Sequence, residues 1–337
     1  MSLSDMAAWM GALPDARKLN EISMPGSHDA GVYREVSNKA GVLPVPKDQT
    51  ACQDRPVLEQ CEAGSRFLDI RLKVSRTSIR AHHTTAGQGA VGESWDSTLE
   101  SVAAFLDAHP SECVILRLTK PSGGATDQIV ETILKSSLKK RLYTSADFTN
   151  FANTPLKNLR GKAICAFDPK EFKVLHPSLG MHPFFRYEEG NTFGLITCGK
   201  YSNSKSIQKV IDGQVAKIDA HADHTGEHLF VLYWTQTGGK IEQNTKATPQ
   251  NIQRQQGRIA GGTHHNMDYL KDMICFGTDV KPGDAVVAVS DAPGRRNVMP
   301  NVIMYDFVNR KTSKEIVSLN GPELQPHLVD SAWWPSK

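Results

Sequence analysis

The sequence predicts an α/β fold, a TIM-type (β/α)8 barrel with room for irregular or incomplete closure. Three observations carry that expectation. Eight short apolar runs recur along the 337 residues, and stretches with helical spacing separate several of them. No internal repeat, low-complexity tract or linker divides the chain, so residues 1–337 read as one domain, a size such barrels reach. Polar residues stand at or just past the C-terminal ends of six of the eight runs: His28, His83, Thr119, Asp168, Gln236 and Asp306. In a parallel barrel that end carries the active site.

The elements follow in order. Residues 1–18 suggest a short opening helix with Trp9 and Met10 as apolar contacts. A first strand starts at Leu19, is stopped by Pro25-Gly26-Ser27 and presents His28 and Asp29 at its end. Residues 31–50, with Gly41-Val-Leu-Pro-Val-Pro46, form a loop that either touches lipid or packs on the barrel. Asp54 to Gly64 has helical spacing, with Val57, Leu58 and Cys61 on one face and Gly64 as a C-terminal cap. Arg66–Val74 and Thr77–His83 are the second and third strands. Trp95–His109 is an amphipathic helix burying Leu99, Val102, Ala103, Phe105 and Leu106, ended by Pro110. Cys113–Thr119 is the fourth strand, followed by a helix over 126–141. The remaining strands are Gly161–Phe167, Thr192–Cys198, His228–Gln236 and Val302–Asp306. Helices are expected at Ser204–Ala222 and over 249–274.

Composition excludes several classes. With 39% hydrophobic and 22% charged residues the chain reads as a soluble globular protein. The net charge of +3 comes with no Lys/Arg run or aromatic–basic interleaving, so no nucleic acid partner is expected. No stretch is long and apolar enough for a spanning helix. The first ten residues lack a basic n-region and a clean apolar core. The chain is therefore read as cytoplasmic, as exported by a non-classical, effector-type route, or as having lost a signal before this numbering. Six cysteines without a Cys-x-x-Cys pair argue against zinc. Cys113, Cys165 and Cys198 read as buried thiols, while Cys52 and Cys61 flank a helical turn and are within reach of pairing.

Two local patterns carry chemistry. His28-Asp29 sets a titratable imidazole beside a carboxylate, which suits proton transfer or, equally, a surface turn. Asp69 and Arg71 lie two apart on a strand and so share a face. They form either a structural ion pair or a phosphodiester site in which the guanidinium fork holds two oxygens. The pairs His221/His224 and His264/His265 lack a third ligand at a defined spacing and receive no metal role.

Taken in order, Ser23-Met-Pro-Gly-Ser-His-Asp29, Gly64-Ser-Arg-Phe-Leu-Asp-Ile-Arg71 and the His82-His83 pair resemble the X-domain family of phosphatidylinositol-specific phospholipases C. The resemblance is to the bacterial, metal-independent branch and runs from about residue 17 to about 320. It implies phosphodiester cleavage in which the inositol 2-hydroxyl attacks its own phosphate. His28 would be the base, oriented by Asp306, and His83 the acid, paired with Asp29. Arg71 with Asp69 would stabilise the phosphate in place of calcium, so no cofactor or metal is expected. His83 is preferred to His82 as the family's second histidine. Among substrate contacts the resemblance points to Lys120 (or Thr119) and Tyr201. The family's Arg after the fifth strand and Asp after the sixth fall on Asp168 and Gly199, an altered inositol clamp, for which Arg186 or Lys200 are possible substitutes. The loop 237–245 lacks the family's rim tryptophan. The expected partner is a phospholipid head group at a membrane surface, met by a monomer. Two alternatives stand beside this reading: a phosphodiesterase for another head group, such as a glycerophosphodiester, and a catalytically weak lipid-binding domain.

Overall fold

A computed structural model describes residues 5–33, 51–85, 88–124, 126–173, 175–204, 226–235 and 300–320, with 209–210, 212–214 and 216–217. Eight parallel strands close into a barrel in the order β1-β11-β10-β9-β8-β7-β6-β2. They are β1 (Met24–Ser27), β2 (Phe67–Ile70), β6 (Cys113–Leu118), β7 (Lys162–Phe167), β8 (Met181–Arg186), β9 (Leu195–Cys198), β10 (Leu229–Trp234) and β11 (Val302–Tyr305). The remaining strands, β3 (Leu72–Val74), β4 (Ile79–Thr85) and β5 (Gln88–Ser94), form a separate antiparallel sheet. The predicted barrel is present and closed.

Strand alternation divides the core in two. Met24, Phe67, Ile115, Ile164, Val231, Val302 and Met304 belong to one apolar cluster, inside the barrel. Their neighbours Leu68, Val114, Leu116, Leu118, Cys165 and Phe167 belong to another. That outer layer includes Val57 and Cys61 of helix α1 (Val57–Glu62), Leu99, Val102, Phe105 and Leu106 of helix α2 (Trp95–Ala108) and Ile129 and Ile133 of helix α3 (Thr126–Lys135). Helix α2 starts on Ser94, whose hydroxyl accepts from Ser97 N at 3.1 Å. Gly26 is required where β1 meets β11, because a Cβ there would lie 2.7 Å from Val302 Cγ1.

Four expectations need correction. The first strand does not begin at Leu19: residues Leu19–Glu21 form a short 3-10 helix, and Pro25, Gly26 and Ser27 lie inside β1 rather than ending it. The opening helix shrinks to Trp9–Ala12, though Trp9 and Met10 are buried as expected. The predicted second strand breaks at Arg71, and the predicted third is not a barrel strand but the middle of the antiparallel sheet. The fifth barrel strand is instead β8, in a stretch to which no element was assigned. Pro183 sits where β8 passes from pairing with β7 to pairing with β9, so its missing N–H costs little.

All five described cysteines are reduced, so Cys52 and Cys61 are not paired. No helix among the described residues is long and apolar enough to cross a membrane. The loop segment 41–46, Gln236, the 237–245 loop, the 249–274 helix, Cys275 and the pairs His221/His224 and His264/His265 lie outside the described residues, as does most of Ser204–Ala222.

Candidate active site

The C-terminal mouth of the barrel gathers side chains from strands far apart in sequence. His28 follows β1, and its backbone N donates to Tyr305 O of neighbouring β11. Asp306 follows β11, so parallel pairing puts the two side chains together: His28 Nδ1 lies 2.8 Å from Asp306 Oδ1. A carboxylate only accepts, so the proton sits on Nδ1 and Nε2 faces the mouth. There Nε2 meets Asp29 Oδ2 at 3.2 Å and Arg71 Nη2 at 3.4 Å. The imidazolium can donate to Asp29, and the neutral ring can accept from Arg71. Burial lowers the His28 pKa, but the charges of Asp29 and Asp306 outweigh it and hold the ring above its ordinary value. Asp306 is itself pushed up by burial, only partly offset by His28.

Asp29 occupies the left-handed region at φ 42°, where Asp is tolerated better than most residues. Despite its burial, the Arg71 guanidinium and the histidines hold its carboxyl well below the usual carboxylate range. Its oxygens divide the site. Oδ1 faces Arg71 Nε at 2.9 Å. Oδ2 faces His28 Nε2, Cys52 Sγ at 3.7 Å and His83 Nε2 at 3.9 Å. The expected direct Asp29–His83 pair is thus at the limit of ion-pair distance, and Cys52 bridges the two, its Sγ 3.6 Å from His83 Nδ1.

Arg71 stands where the chain leaves the barrel for the antiparallel sheet. Its carbonyl accepts from His82 N, and β4 carries His83 back to the mouth. Small residues allow the close approach: a Cβ on Gly92 would fall 2.1 Å from Gly31 O. Of the two histidines, His83 lies beside Asp29, while His82 is buried and burial lowers its pKa.

Asp69 projects into the barrel two residues before Arg71, whose Nη2 is 3.6 Å from Asp69 Oδ2. Its firmer partner was missed in the sequence. Arg117, in register with Asp69 on β6, puts Nε 3.2 Å and Nη2 3.0 Å from Asp69 Oδ1. Its Nη1 donates to the Tyr233 hydroxyl at 2.7 Å. The available signal was a charge inside the apolar run Cys113–Thr119, which must find a buried partner. Gln53 was missed too: its amide donates to the carbonyls of His28 and Tyr305 and accepts from Val308 N, bracing both halves of the His28–Asp306 pair.

The expected substrate positions divide. Tyr201 borders the cluster, its ring 5.5 Å from that of His28 and its hydroxyl 3.4 Å from both Asp69 Oδ2 and Arg71 Nη2. Lys120 is exposed, and the charge of Arg71 together with burial lowers its pKa, which puts it within electrostatic reach of the cluster. Asp168 does not join: its carboxylate accepts from Lys170 N within its own turn. Gly199 has φ 122°, and a Cβ there would lie 2.1 Å from Val231 O, so no side chain fits without backbone movement. Counting barrel strands afresh makes Arg186 the end of the fifth. It shares a face with Phe184, whose ring lies 5.1 Å from Arg117.

Fold and site together define a parallel α/β-barrel protein with paired imidazoles, carboxylates and a fixed guanidinium at its C-terminal mouth. Comparison with known proteins agrees with the sequence resemblance. A family model described as "Phosphatidylinositol-specific phospholipase C, X domain" matches residues 43–166. A 1-phosphatidylinositol phosphodiesterase of Listeria monocytogenes is 32% identical over 160 residues, 46% of this chain and 47% of its own length. The Staphylococcus aureus (strain Newman) protein of that name is 28% identical over 163 residues, 46% of this chain and 49% of its own length. The chain thus spans about half the length of the curated relatives it matches. Among solved structures, the phosphatidylinositol-specific phospholipase C of L. monocytogenes superposes with a TM-score of 0.63 at 21% identity, covering 94% of this chain and 99% of that one. An S. aureus phospholipase C structure concerned with modulation of membrane binding gives 0.61 at 18% identity, covering 94% and 98%. The chain is similar to the bacterial phosphatidylinositol-specific phospholipases C over about half its length and shares their barrel fold.

Proposed function

We propose that the protein is a phosphatidylinositol-type phospholipase C. The observation that carries the proposal is the His28–Asp306 contact of 2.8 Å beside the Arg71 guanidinium. In the proposed reaction the inositol 2-hydroxyl attacks phosphorus. His28 takes its proton as the new O–P bond forms. The bond from phosphorus to the glycerol oxygen breaks, and His83 gives that oxygen a proton. The products are diacylglycerol and a cyclic 1,2-phosphate. Asp306 fixes the His28 tautomer. Asp29 supports His83 and Arg71. Arg71, backed by Asp69, offsets charge on the phosphate oxygens. Set between two buried carboxylates, this fixed cation supports a reaction without metal. Lys120 and Tyr201 border the phosphate and ring positions, and Arg186 supplies the clamp contact that Asp168 does not. The protein acts as a single-domain monomer at a phospholipid surface.

One observation favours a second reading, in which the chemistry is kept but the head group differs. It is the closed position at Gly199, with Asp168 turned to its own loop. A single experiment separates the two. The protein is incubated with phosphatidylinositol in mixed micelles with chelator, and phosphorus resonances are followed. A cyclic 1,2-phosphate signal that disappears in His28→Ala supports the first reading. Product only after calcium is added would refute the role given to Arg71. No product from phosphatidylinositol, but product from another phosphodiester, would favour the second reading. Lipid binding that persists without any turnover would leave a lipid-binding domain.

A further inference from the structure

Three soft or borderline metal ligands converge on one oxygen in the mouth. His28 Nε2, Cys52 Sγ and His83 Nε2 lie 3.2, 3.7 and 3.9 Å from Asp29 Oδ2. Cys52 Sγ is also 3.6 Å from His83 Nδ1. The ligand atoms of His28, Asp29 and Cys52 all lie within 4.8 Å of one another. For bonds of ordinary zinc length, a tetrahedral site separates nitrogen and oxygen ligands by about 3.4 Å, and sulfur from either by about 3.6 Å. The His28 Nε2–Oδ2 and Cys52 Sγ–Oδ2 spacings match these within about 0.2 Å, whereas His83 turns Nε2 to Asp29 and Nδ1 to Cys52 and stands beside the triad.

We propose that Asp29, Cys52 and His28, with solvent as fourth ligand, form a binding site for a soft divalent cation of the zinc class. The cation inhibits by occupying the His28 imidazole. It is not a cofactor, since His28 must be unligated to take a proton. Binding forms sulfur–metal and nitrogen–metal bonds and releases to solvent the thiol proton and, from the imidazolium form, the His28 Nε2 proton. The inhibition half of the proposal rests on the phosphodiesterase reading; the binding half does not.

Arg71 is the obstacle, a fixed cation 3.4 Å from His28 Nε2. Two features offset it. Arg71 holds Asp29 Oδ1, leaving Oδ2 to the ligand cluster. The carboxylates also outnumber the buried guanidiniums: Asp29, Asp69 and Asp306 stand with Arg71 and Arg117, so a thiolate and a dication can be added together. Calcium and magnesium, which prefer all-oxygen shells, are not expected to bind.

The test uses cobalt(II) as a spectroscopic probe on the full chain. One equivalent should produce a thiolate-to-cobalt charge-transfer band that zinc abolishes and calcium does not. The band should be absent in Cys52→Ser and altered in His28→Ala, which keeps the thiol should the first variant fail to fold. Turnover should fall on adding zinc and return with chelator. In Cys52→Ser, referred to its own metal-free rate, the inhibitory zinc concentration should rise at least about 100-fold, beyond what loss of an outer-shell partner costs. No band in the unsubstituted protein, or a band that survives in Cys52→Ser, overturns the site. A protein that shows the band but no activity on any phosphodiester refutes the functional reading while leaving the site intact.

Discussion

The barrel carries a buried arginine–carboxylate cluster at each end, and the two are built differently. At the N-terminal end Arg66, just before β2, meets Glu112, just before β6. Its Nε and Nη2 lie 2.9 and 2.7 Å from Glu112 Oε2, and both side chains are fully buried. The remaining donors reach the carbonyls of Cys61, Ser65, Met6 and Ala7. Glu112 in turn accepts from Met10 N, Gly11 N and Ser111 Oγ. The guanidinium also lies 4.6 Å from the Phe105 ring. At the C-terminal mouth Arg71 is surrounded by side chains rather than carbonyls. Its Nε is 2.9 Å from Asp29 Oδ1 but is not aligned for a hydrogen bond, and its other contacts are 3.4 Å or longer. Asp306 Oδ2 has no hydrogen-bond partner among the described residues. A structural arginine saturates its donors with fixed acceptors. An arginine meant for a ligand keeps donors in reserve, and the fold tolerates the incomplete bonding.

The largest expected effect is at the mouth. Arg71→Ala should lower kcat/KM on the phosphodiester substrate by about 10³–10⁵, the range for an arginine that stabilises charge in phosphoryl transfer. It should cost less in urea unfolding than the loss of Arg66, because Asp29 keeps its contact with His28 and water can enter from the mouth. A large stability loss in this variant would erase the distinction between the two clusters.

Asp306→Asn sharpens the same contrast. It should reduce kcat by about 10²–10⁴ through the wrong His28 tautomer. It also removes an influence that raises the His28 pKa. Because His28, as the proposed base, must be neutral to act, the acid limb of the pH–rate profile should move to lower pH. A limb that stays fixed would mean that the titrating group is not His28.

At the N-terminal end the order reverses. Arg66→Ala leaves Glu112 buried without its charge partner and should cost about 3–5 kcal/mol in urea unfolding. The rate constants of the protein that remains folded should be unchanged. A loss of turnover at full folding would mean that the two ends are coupled through β2.

The contrast also explains what was legible in the sequence. Side chains at strand ends could be placed because alternation and parallel pairing are rules of the backbone. Asp69 and Arg71 share a face, and His28 and Asp306 meet, because β1 and β11 are neighbours in register. Closure of the barrel was legible from the run of strands, but their numbering was not. Strand β8 was hidden by Pro183, and Thr77–His83 passed for a barrel strand because a short alternating run looks alike in either sheet. Arg117 and the Arg66–Glu112 pair were hidden because sequence separation conceals a buried partner: they lie 48 and 46 residues from their carboxylates. Cys52 was read for disulfide pairing, since nothing local places a thiol beside Asp29.

The smallest effect tests whether the mouth is loose throughout or only in its side chains. Gly199 follows β9 at the mouth with φ 122°, and a Cβ there would approach Val231 O to 2.1 Å. Loosely held side chains can therefore stand on backbone that does not yield. If so, Gly199→Ala should cost about 1–3 kcal/mol in urea unfolding, the range for a residue forced into a sparsely populated backbone region. Gly199→Asp should cost at least as much and should not improve turnover of phosphatidylinositol, because the backbone shift that admits the carboxylate also moves β9 and, two residues on, Tyr201. An Asp variant that is as stable as the parent and faster on phosphatidylinositol would show that the mouth backbone adapts as readily as its side chains. The closed position at Gly199 would then carry no weight in the choice of head group.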